Sequence, residues 1–265
     1  MDKNCLIVIP ARYNSQRFPG KVLAPIAGKP VLLWCYEAAV RAELGEVLIA
    51  TEDSRVMAFA KSIGAKAVLT SARCQSGTDR VFEAAKRTNK SFIINFQGDE
   101  PFMRAETLVK AFRQLLGDRA CSIGTACARI RNGADIKNPN CVKIAMSSKG
   151  RALYFSRSPI PFHHPLSELK NYPFYKHCGF YIYRRQALAS FVKLPPSPLE
   201  KLERLEQLRA LENGMGITVA EVRELGPAID TPADIKAAER FARRRCAEQV
   251  TSHKSQVTSR KFVRK

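Results

Sequence analysis

This sequence lacks three things that would have named a chemistry at once. It has eight cysteines (5, 35, 74, 121, 127, 141, 178 and 246), but no C-x-x-C pair among them. That argues against a zinc site or a dithiol redox motif. Several of these thiols sit inside apolar stretches, so they are expected to be reduced and buried rather than disulfide-bonded. No apolar run reaches the ~20 residues a membrane helix needs. The run Cys5–Ile9 is too short for a signal peptide and stops at Pro10, so a cytoplasmic protein without membrane insertion is expected. Neither G-x-x-x-x-G-K-[ST] nor G-x-G-x-x-G occurs, which weakens the P-loop ATPase and dinucleotide oxidoreductase readings.

Acidic residues are also scarce. Asp and Glu number 24 against 44 Lys and Arg, a formal net charge of +20. Eight Lys/Arg and one Glu fall between Arg243 and Lys265, so part of the excess is local and the rest belongs to the body. A basic chain attracts polyanions, but a solvated basic surface gives the same number. No zinc-finger, helix-turn-helix or aromatic RNA-binding signature accompanies the charge, so nucleic acid is not the expected partner. The 265 residues, 45% of them apolar, suffice for one large domain with a small appendage.

The apolar pattern alternates. Short β-type runs at Cys5–Ile9, Val47–Ala50, the "AKAVLT" stretch and "SFIINF" are separated by helical spacings at Val31–Ala42, after Ser54 and after "SGTDR". Ser54 is the expected N-cap of the second helix and Gly64 its stop. A helix Ala105–Leu116 and a β-like run Cys121–Ile130 follow. The pattern predicts an α/β protein with a mainly parallel sheet flanked by helices. Mid-chain, Val142–Met146 and Ala152–Phe155 flank an "SSKG" turn and predict a small antiparallel subdomain, within residues 130–185. "HCGFYIYRR" reads as a strand, "PLEKLERLEQLRALENG" as one helix, "ITVAEV" as a strand and Thr231–Arg245 as the last helix. Residues 1–245 are expected to form the main domain. Residues 246–265 are expected to form a basic tail without order.

The chemistry is read from loops at strand ends, where open α/β sheets bind ligands. "IPARYNSQRFPGK" follows the first strand and carries Arg12, Arg17 and Lys21. Arginine forks and a lysine point charge suit a triphosphate, although a solvated loop would carry the same residues. "FQGDEPF" follows the fourth strand, and its Asp99 and Glu100 suit either Mg²⁺ or a helix-entry turn. Asp230 in "AIDTPADI" is a second metal candidate or an ordinary cap. "QSGTDR", from Gln75 to Arg80, opens a helix and binds nucleotide or simply caps.

In order, "PARYNSQRFPGK", "SGTDR", "NFQGDEP", "NPNCVK", "ALYFSRSPIPF", "HCGFYIYRR", "LEKLERLEQLR" and "IDTPAD" resemble the blocks of the 3-deoxy-manno-octulosonate (Kdo) cytidylyltransferases, over residues 5 to about 240. The resemblance implies a Rossmann-like nucleotidyltransferase fold. It also implies transfer of CMP from CTP to the anomeric hydroxyl of Kdo for lipopolysaccharide biosynthesis, with Mg²⁺ and a homodimer. Arg12 and Lys21 would hold the CTP phosphates. Ser76, Thr78, Asp79, Arg80 and Gln97 would surround the nucleotide. Asp99 and Asp230 would hold the metal, and Lys21, Arg12 and Asp99 would carry the catalysis. Gln97, Arg157, His177, Tyr183, Glu206 and Gln207 would face the sugar. Without the resemblance, His177 reads as a structural histidine, and Glu206 and Gln207 as polar residues on a helix. A cytidylyltransferase for another keto-acid sugar, such as N-acylneuraminate, is the nearest alternative. A basic nucleic-acid-binding protein is a distant one.

Overall fold

The first strand, β1 (Cys5–Pro10), is buried at all six positions, as expected of a strand covered on both faces. It lies at the centre of a computed structural model that describes residues 4–15, 17–164 and 172–244. The expected basic tail lies outside these residues, as does part of the segment between Ser156 and Tyr175.

After β1 come a small hairpin, β2 (Pro25–Ile26) and β3 (Lys29–Pro30), and helix α1 (Val31–Arg41). Then β4 (Gly45–Thr51), α2 (Ser54–Ser62), β5 (Ala67–Leu69), α3 (Gly77–Ala85), β6 (Phe92–Asn95) and α4 (Ala105–Gly117) alternate. β7 (Ile123–Arg129), α5 (Gly133–Lys137), β8 (Lys143–Met146), β9 (Ala152–Ser156) and β10 (Tyr175–Arg184) follow. The chain continues through α6 (Arg185–Phe191), α7 (Pro198–Glu203), α8 (Gln207–Glu212), β11 (Ile217–Val222) and a last helix over residues 234–244.

Among the described residues one nine-stranded sheet runs in the order β11-β7-β10-β6-β1-β4-β5, with the β8–β9 hairpin paired to β10. β1 pairs in parallel with β4 and β6, β4 with β5, and β11 with β7. β10 is antiparallel to both of its neighbours. The expected antiparallel pair therefore exists, and it grows from the main sheet through Lys176 opposite Lys143.

Period-two alternation divides β1 between two cores. Cys5, Ile7 and Ile9 pack beneath α1, α2, α4 and the last helix, while Leu6 and Val8 pack beneath α3, α6 and α8. The result is a helix–sheet–helix sandwich.

Two local expectations are corrected. The N-cap of α2 is Asp53, not Ser54: Asp53 is extended and its carboxylate accepts from the Arg55 amide. The "PLEKLERLEQLRALENG" stretch is not one helix. Arg204 adopts a left-handed conformation (φ 54°) and splits it into α7 and α8. The leucine spacing that predicted one helix reports which face is buried. It is blind to a single residue that reverses its φ. Leu205 and Leu208 are buried beyond the break, while Leu202 is 80% exposed before it.

Candidate active site

Because β1 and β6 are parallel neighbours, their carboxyl ends share one rim. Main-chain pairing continues past β6, with the Phe96 amide donating to Val8 O. The loops leaving both strands are therefore forced together. Gly98 permits the closest approach: a Cβ there would stand 2.8 Å from Pro10 O. In the first loop, Gly20 takes a left-handed φ of 75° and turns the chain into a short 3-10 turn that begins at Lys21.

The Lys21 ammonium ends up among acids. It donates to Asp99 Oδ2 at 2.6 Å and to Ile229 O at 3.0 Å, and lies 3.7 Å from Asp230 Oδ1. Arg17 reaches Asp230 Oδ1 at 2.9 Å. The Ile229 amide donates to Asp99 O, which ties the loop before the last helix to the "GDEP" turn. Asp230 is not the side chain that caps this turn. Asp234 does that, accepting from the Asp230 and Thr231 amides and from the Thr231 hydroxyl. The Asp230 carboxylate is left facing Lys21 and Arg17.

Two carboxylates focused on a point filled by an ammonium suit a hard dication. Mg²⁺ takes few protein carboxylates and completes its shell with phosphate oxygens and water. Among the described residues no cluster of three or more His, Cys, Asp or Glu could hold a metal ion.

Arg12 donates to Cys74 O at 2.9 Å, and its Nε has no acceptor among the described residues. Its fork retains capacity for phosphate oxygens. Ser76 and Asp79 form a reciprocal capping box at the start of α3. This helix start meets the same rim, because a Cβ on Gly77 would touch both Gln97 and Pro10.

A chain of hydrogen bonds runs inward from there. Gln97 donates to Asn95 Oδ1 at 3.2 Å, Asn95 donates to the Thr78 hydroxyl at 3.3 Å, and Thr78 donates to Glu206 Oε2 at 2.6 Å. Burial pushes the Glu206 carboxyl up, and the bonds from Thr78 and Ser76 partly offset this. The break at Arg204 is what swings Glu206 onto Thr78.

The sugar-side expectations are divided by the structure. Gln97, Asp99, His177 and Asp230 line one cavity of about 750 Å³. Ser76, Asp79 and Glu206 line another of about 600 Å³ on the other side of the hydrogen-bond chain. His177 lies in a file of mutually tilted rings with Tyr181 and Tyr183. Burial drives its pKa down to about 3, so the ring is neutral, with Nε2 3.0 Å from the Thr125 hydroxyl. Tyr183 is 2% exposed and lies beside Thr78 and Phe191. Gln207 is buried as well.

Two of the expected residues make their contacts with the protein itself. Arg80 is 1% exposed and turns inward, pairing with Glu52 at 2.7 Å and bonding Thr70. It ties α3 to the ends of β4 and β5 and offers no fork to a nucleotide. Arg157 spends three of its five N–H groups on main-chain carbonyls: Glu203 O at 2.7 Å, Pro139 O at 2.9 Å and Arg204 O at 3.3 Å. Two of these are carbonyls freed where α7 breaks, so Arg157 braces the break.

Asn95 and Lys176 line or support the site and were given no role by the motif reading. Glu100 lies beside Gly179, and burial followed by the Asp99 charge pushes its pKa up to about 8. Asn95 carried a signal, being a polar residue at the end of an apolar run. Lys176 carried none. The described cysteines are all free, and burial raises the thiols of Cys35, Cys121, Cys127 and Cys178. None of these four is poised as a thiolate nucleophile.

Residues 6–217 match the family model described as Cytidylyltransferase. The chain is 48% identical over 239 residues to the 3-deoxy-manno-octulosonate cytidylyltransferase of Elusimicrobium minutum (strain Pei191), covering 90% of this chain and 98% of that one. It is 43% identical over 246 residues to the enzyme of the same name from Geobacter metallireducens, covering 89% and 97%. Its fold is similar to a solved structure of CMP:2-keto-3-deoxy-manno-octonic acid synthetase complexed with CTP. That match has a TM-score of 0.84 and 39% identity, over 91% of this chain and 99% of that one. A cytidylyltransferase from Leptospira borgpetersenii shares the fold alone, at TM-score 0.51 and 16% identity.

Proposed function

The chain belongs to the cytidylyltransferase family, and from that premise we propose that it transfers CMP from CTP to the anomeric hydroxyl of Kdo, releasing pyrophosphate. One observation carries the reading: the Lys21 ammonium held between Asp99 and Asp230 at the rim where β1 and β6 end. The relatives' names specify 3-deoxy-manno-octulosonate, which favours Kdo over N-acylneuraminate.

In the reaction the Kdo hydroxyl oxygen attacks the α-phosphorus. The new O–P bond forms as the bond to the β-phosphate oxygen breaks, and the hydroxyl proton leaves to solvent. Arg12 and Lys21 neutralise the phosphate oxygens and hold the triphosphate for in-line attack. The turns around Ser76 and Gln97 seat the nucleotide, and Thr78 and Asn95 fix those turns from beneath. Gln97 and neutral His177 wall the cavity proposed for the sugar.

Asp99 and Asp230 fit Mg²⁺, which when bound would neutralise phosphate charge and lower the pKa of the attacking hydroxyl. Lys21 would then move from the carboxylates onto the phosphates, an exchange of one anion for another on the same ammonium.

We also propose a homodimer through the antiparallel region, supported by the exposed Leu153, Phe162 and Tyr172. A reducing cytoplasmic setting is supported by the free cysteines. Among the described residues no helix is long and apolar enough to cross a membrane.

The test is pyrophosphate release with each of the four nucleoside triphosphates, with and without Kdo. Release that needs both CTP and Kdo is expected. Release without Kdo, or with a clear preference for N-acylneuraminate, would overturn the reading.

A further inference from the structure

The loop that carries Arg12 and Lys21 is closed by Tyr13. The Tyr13 carbonyl accepts from the Gly20 amide at 2.7 Å and from the Ser15 amide at 3.0 Å, so one residue ties the two ends of the loop together. Its ring reaches the same place. A Cβ on Gly20 would stand 3.2 Å from both Cζ and Oη of Tyr13, so the phenol end of the ring lies against the residue that turns the chain into Lys21. Tyr13 is thus next to Arg12 in sequence and against the turn into Lys21 in space. Both cations proposed for the triphosphate depend on where it sits.

The ring is held from the other side by Arg55, in the first turn of α2. The Arg55 guanidinium carbon lies 3.4 Å from the centre of the Tyr13 ring. A guanidinium at that distance is attracted by the electron-rich ring face. Arg55 is itself fixed by a forked pair: Nε donates to Asp53 Oδ1 at 2.9 Å and Nη2 to Asp53 Oδ2 at 2.6 Å. Asp53 is fixed in turn. It caps α2 by accepting from the Arg55 amide, and its own amide donates to the Thr51 hydroxyl at 3.2 Å. Thr51 is the last residue of β4. A path of direct contacts therefore runs from the sheet through Asp53, Arg55 and Tyr13 to Gly20. The proposed chemistry uses neither Asp53 nor Arg55.

We propose that the Asp53–Arg55–Tyr13 stack is a positioning device that holds the phosphate loop in its ligand-ready shape before the triphosphate arrives, with Arg55 acting through Tyr13. This rests on the proposed cytidylyl transfer. A loop that is ordered only on binding subtracts the cost of ordering from the affinity. Loosening the stack lowers the fraction of enzyme whose loop can receive CTP, and the apparent affinity falls by that fraction. Bound triphosphate restores the loop, so turnover at saturation is spared. The Arg55 side chain is 55% exposed, so its removal leaves no buried cavity.

The experiment measures pyrophosphate release with CTP, Kdo and Mg²⁺, and calorimetric binding of CTP with Mg²⁺ alone. It compares wild type, Arg55→Ala, Asp53→Asn, Tyr13→Leu, Tyr13→Phe and the Arg55→Ala/Tyr13→Leu double variant. Arg55→Ala should raise KM and Kd for CTP about 3- to 10-fold, the scale of one guanidinium–ring contact, with kcat and KM for Kdo within about twofold. Asparagine caps a helix as well as aspartate does, so Asp53→Asn removes the fork alone and should weaken CTP binding in the same direction. Tyr13→Leu should lose at least as much, and Tyr13→Phe should recover most of that loss. The double variant should lose no more than Tyr13→Leu, because both substitutions break one contact. Unchanged CTP parameters in Arg55→Ala overturn the proposal. So do multiplying losses in the double variant, or tighter CTP binding in Asp53→Asn, since a released Arg55 would then be a phosphate ligand in its own right. Should Tyr13→Leu fail to fold, Arg55→Ala and Asp53→Asn decide between the two outcomes. Absence of Kdo-dependent turnover in wild type would count against the cytidylyl-transfer reading itself. Normal wild-type turnover with an indifferent Arg55 would sink this inference alone.

Discussion

Lys21 and Asp99 are 78 residues apart in sequence and 2.6 Å apart in space. Neither side chain is deeply hidden, with Lys21 12% and Asp99 31% exposed, so the pair is protected by protein yet open to a ligand. A partly buried pair of this kind adds little net stability, because desolvation offsets attraction. Its value lies in holding charges where phosphate and metal must arrive.

Asp99→Asn should therefore lower kcat for pyrophosphate release by about 10²- to 10³-fold, the cost of losing one preorganised electrostatic contact. The Mg²⁺ titration should shift to higher concentration. Lys21→Met should lose a comparable factor. Because the two side chains share one contact, the double variant should lose less than the product of the single losses. Unaltered turnover and metal dependence in Asp99→Asn would remove Asp99 from the mechanism.

Arg80→Met tests whether Arg80 is a strut. It would leave Glu52 without its cation beneath the ends of β4 and β5. A loss of about 3–5 kcal/mol in urea unfolding is expected, as for a buried ion pair missing one partner. If stability is unchanged and KM for CTP alone rises, Arg80 contacts nucleotide after all.

Arg157→Ala should strip three main-chain carbonyls of their donor and loosen the join between α7 and α8. A loss of about 1–3 kcal/mol is expected, read as a lower Tm. KM for Kdo and for CTP should rise together, because Glu206 and Thr78 depend on that join. A rise confined to Kdo, with Tm intact, would return Arg157 to the sugar carboxylate.

His177 governs an acid limb. Its folded pKa is depressed by burial to about 3, against an ordinary 6.5. Between those values the unfolded chain binds the extra proton, so stability rises with pH across that window and levels off above about 6.5. His177→Gln should flatten this limb by up to ~3 kcal/mol at pH 4 relative to pH 7. Parallel unfolding curves for the two proteins across pH 4 to 7 would refute it.

Much of the site was legible before any coordinates. Strands read as continuous apolar runs because both faces of β1 and β6 are covered. Once they are parallel neighbours, the loops holding Lys21 and Asp99 have to meet. The capping box of Ser76 and Asp79 is a local device and needed only four residues of sequence. The reach of Arg80 and Arg157 was not legible. A long flexible side chain at a loop or helix start points to solvent, ligand or core according to what the rest of the fold puts nearby.

Sequence alone determined the alternation of strand and helix, and with it the rim where the charged loops converge, because periodicity and turn chemistry are local properties of the chain. Tertiary structure decided which of the cations at that rim remain free. Arg80, Arg157 and Arg244 are claimed by Glu52, Glu203 and Glu224, which lie 28, 46 and 20 residues away, and Lys176 has no ion-pair partner among the described residues. Pairing across such distances follows from how the layers pack, and no motif records it.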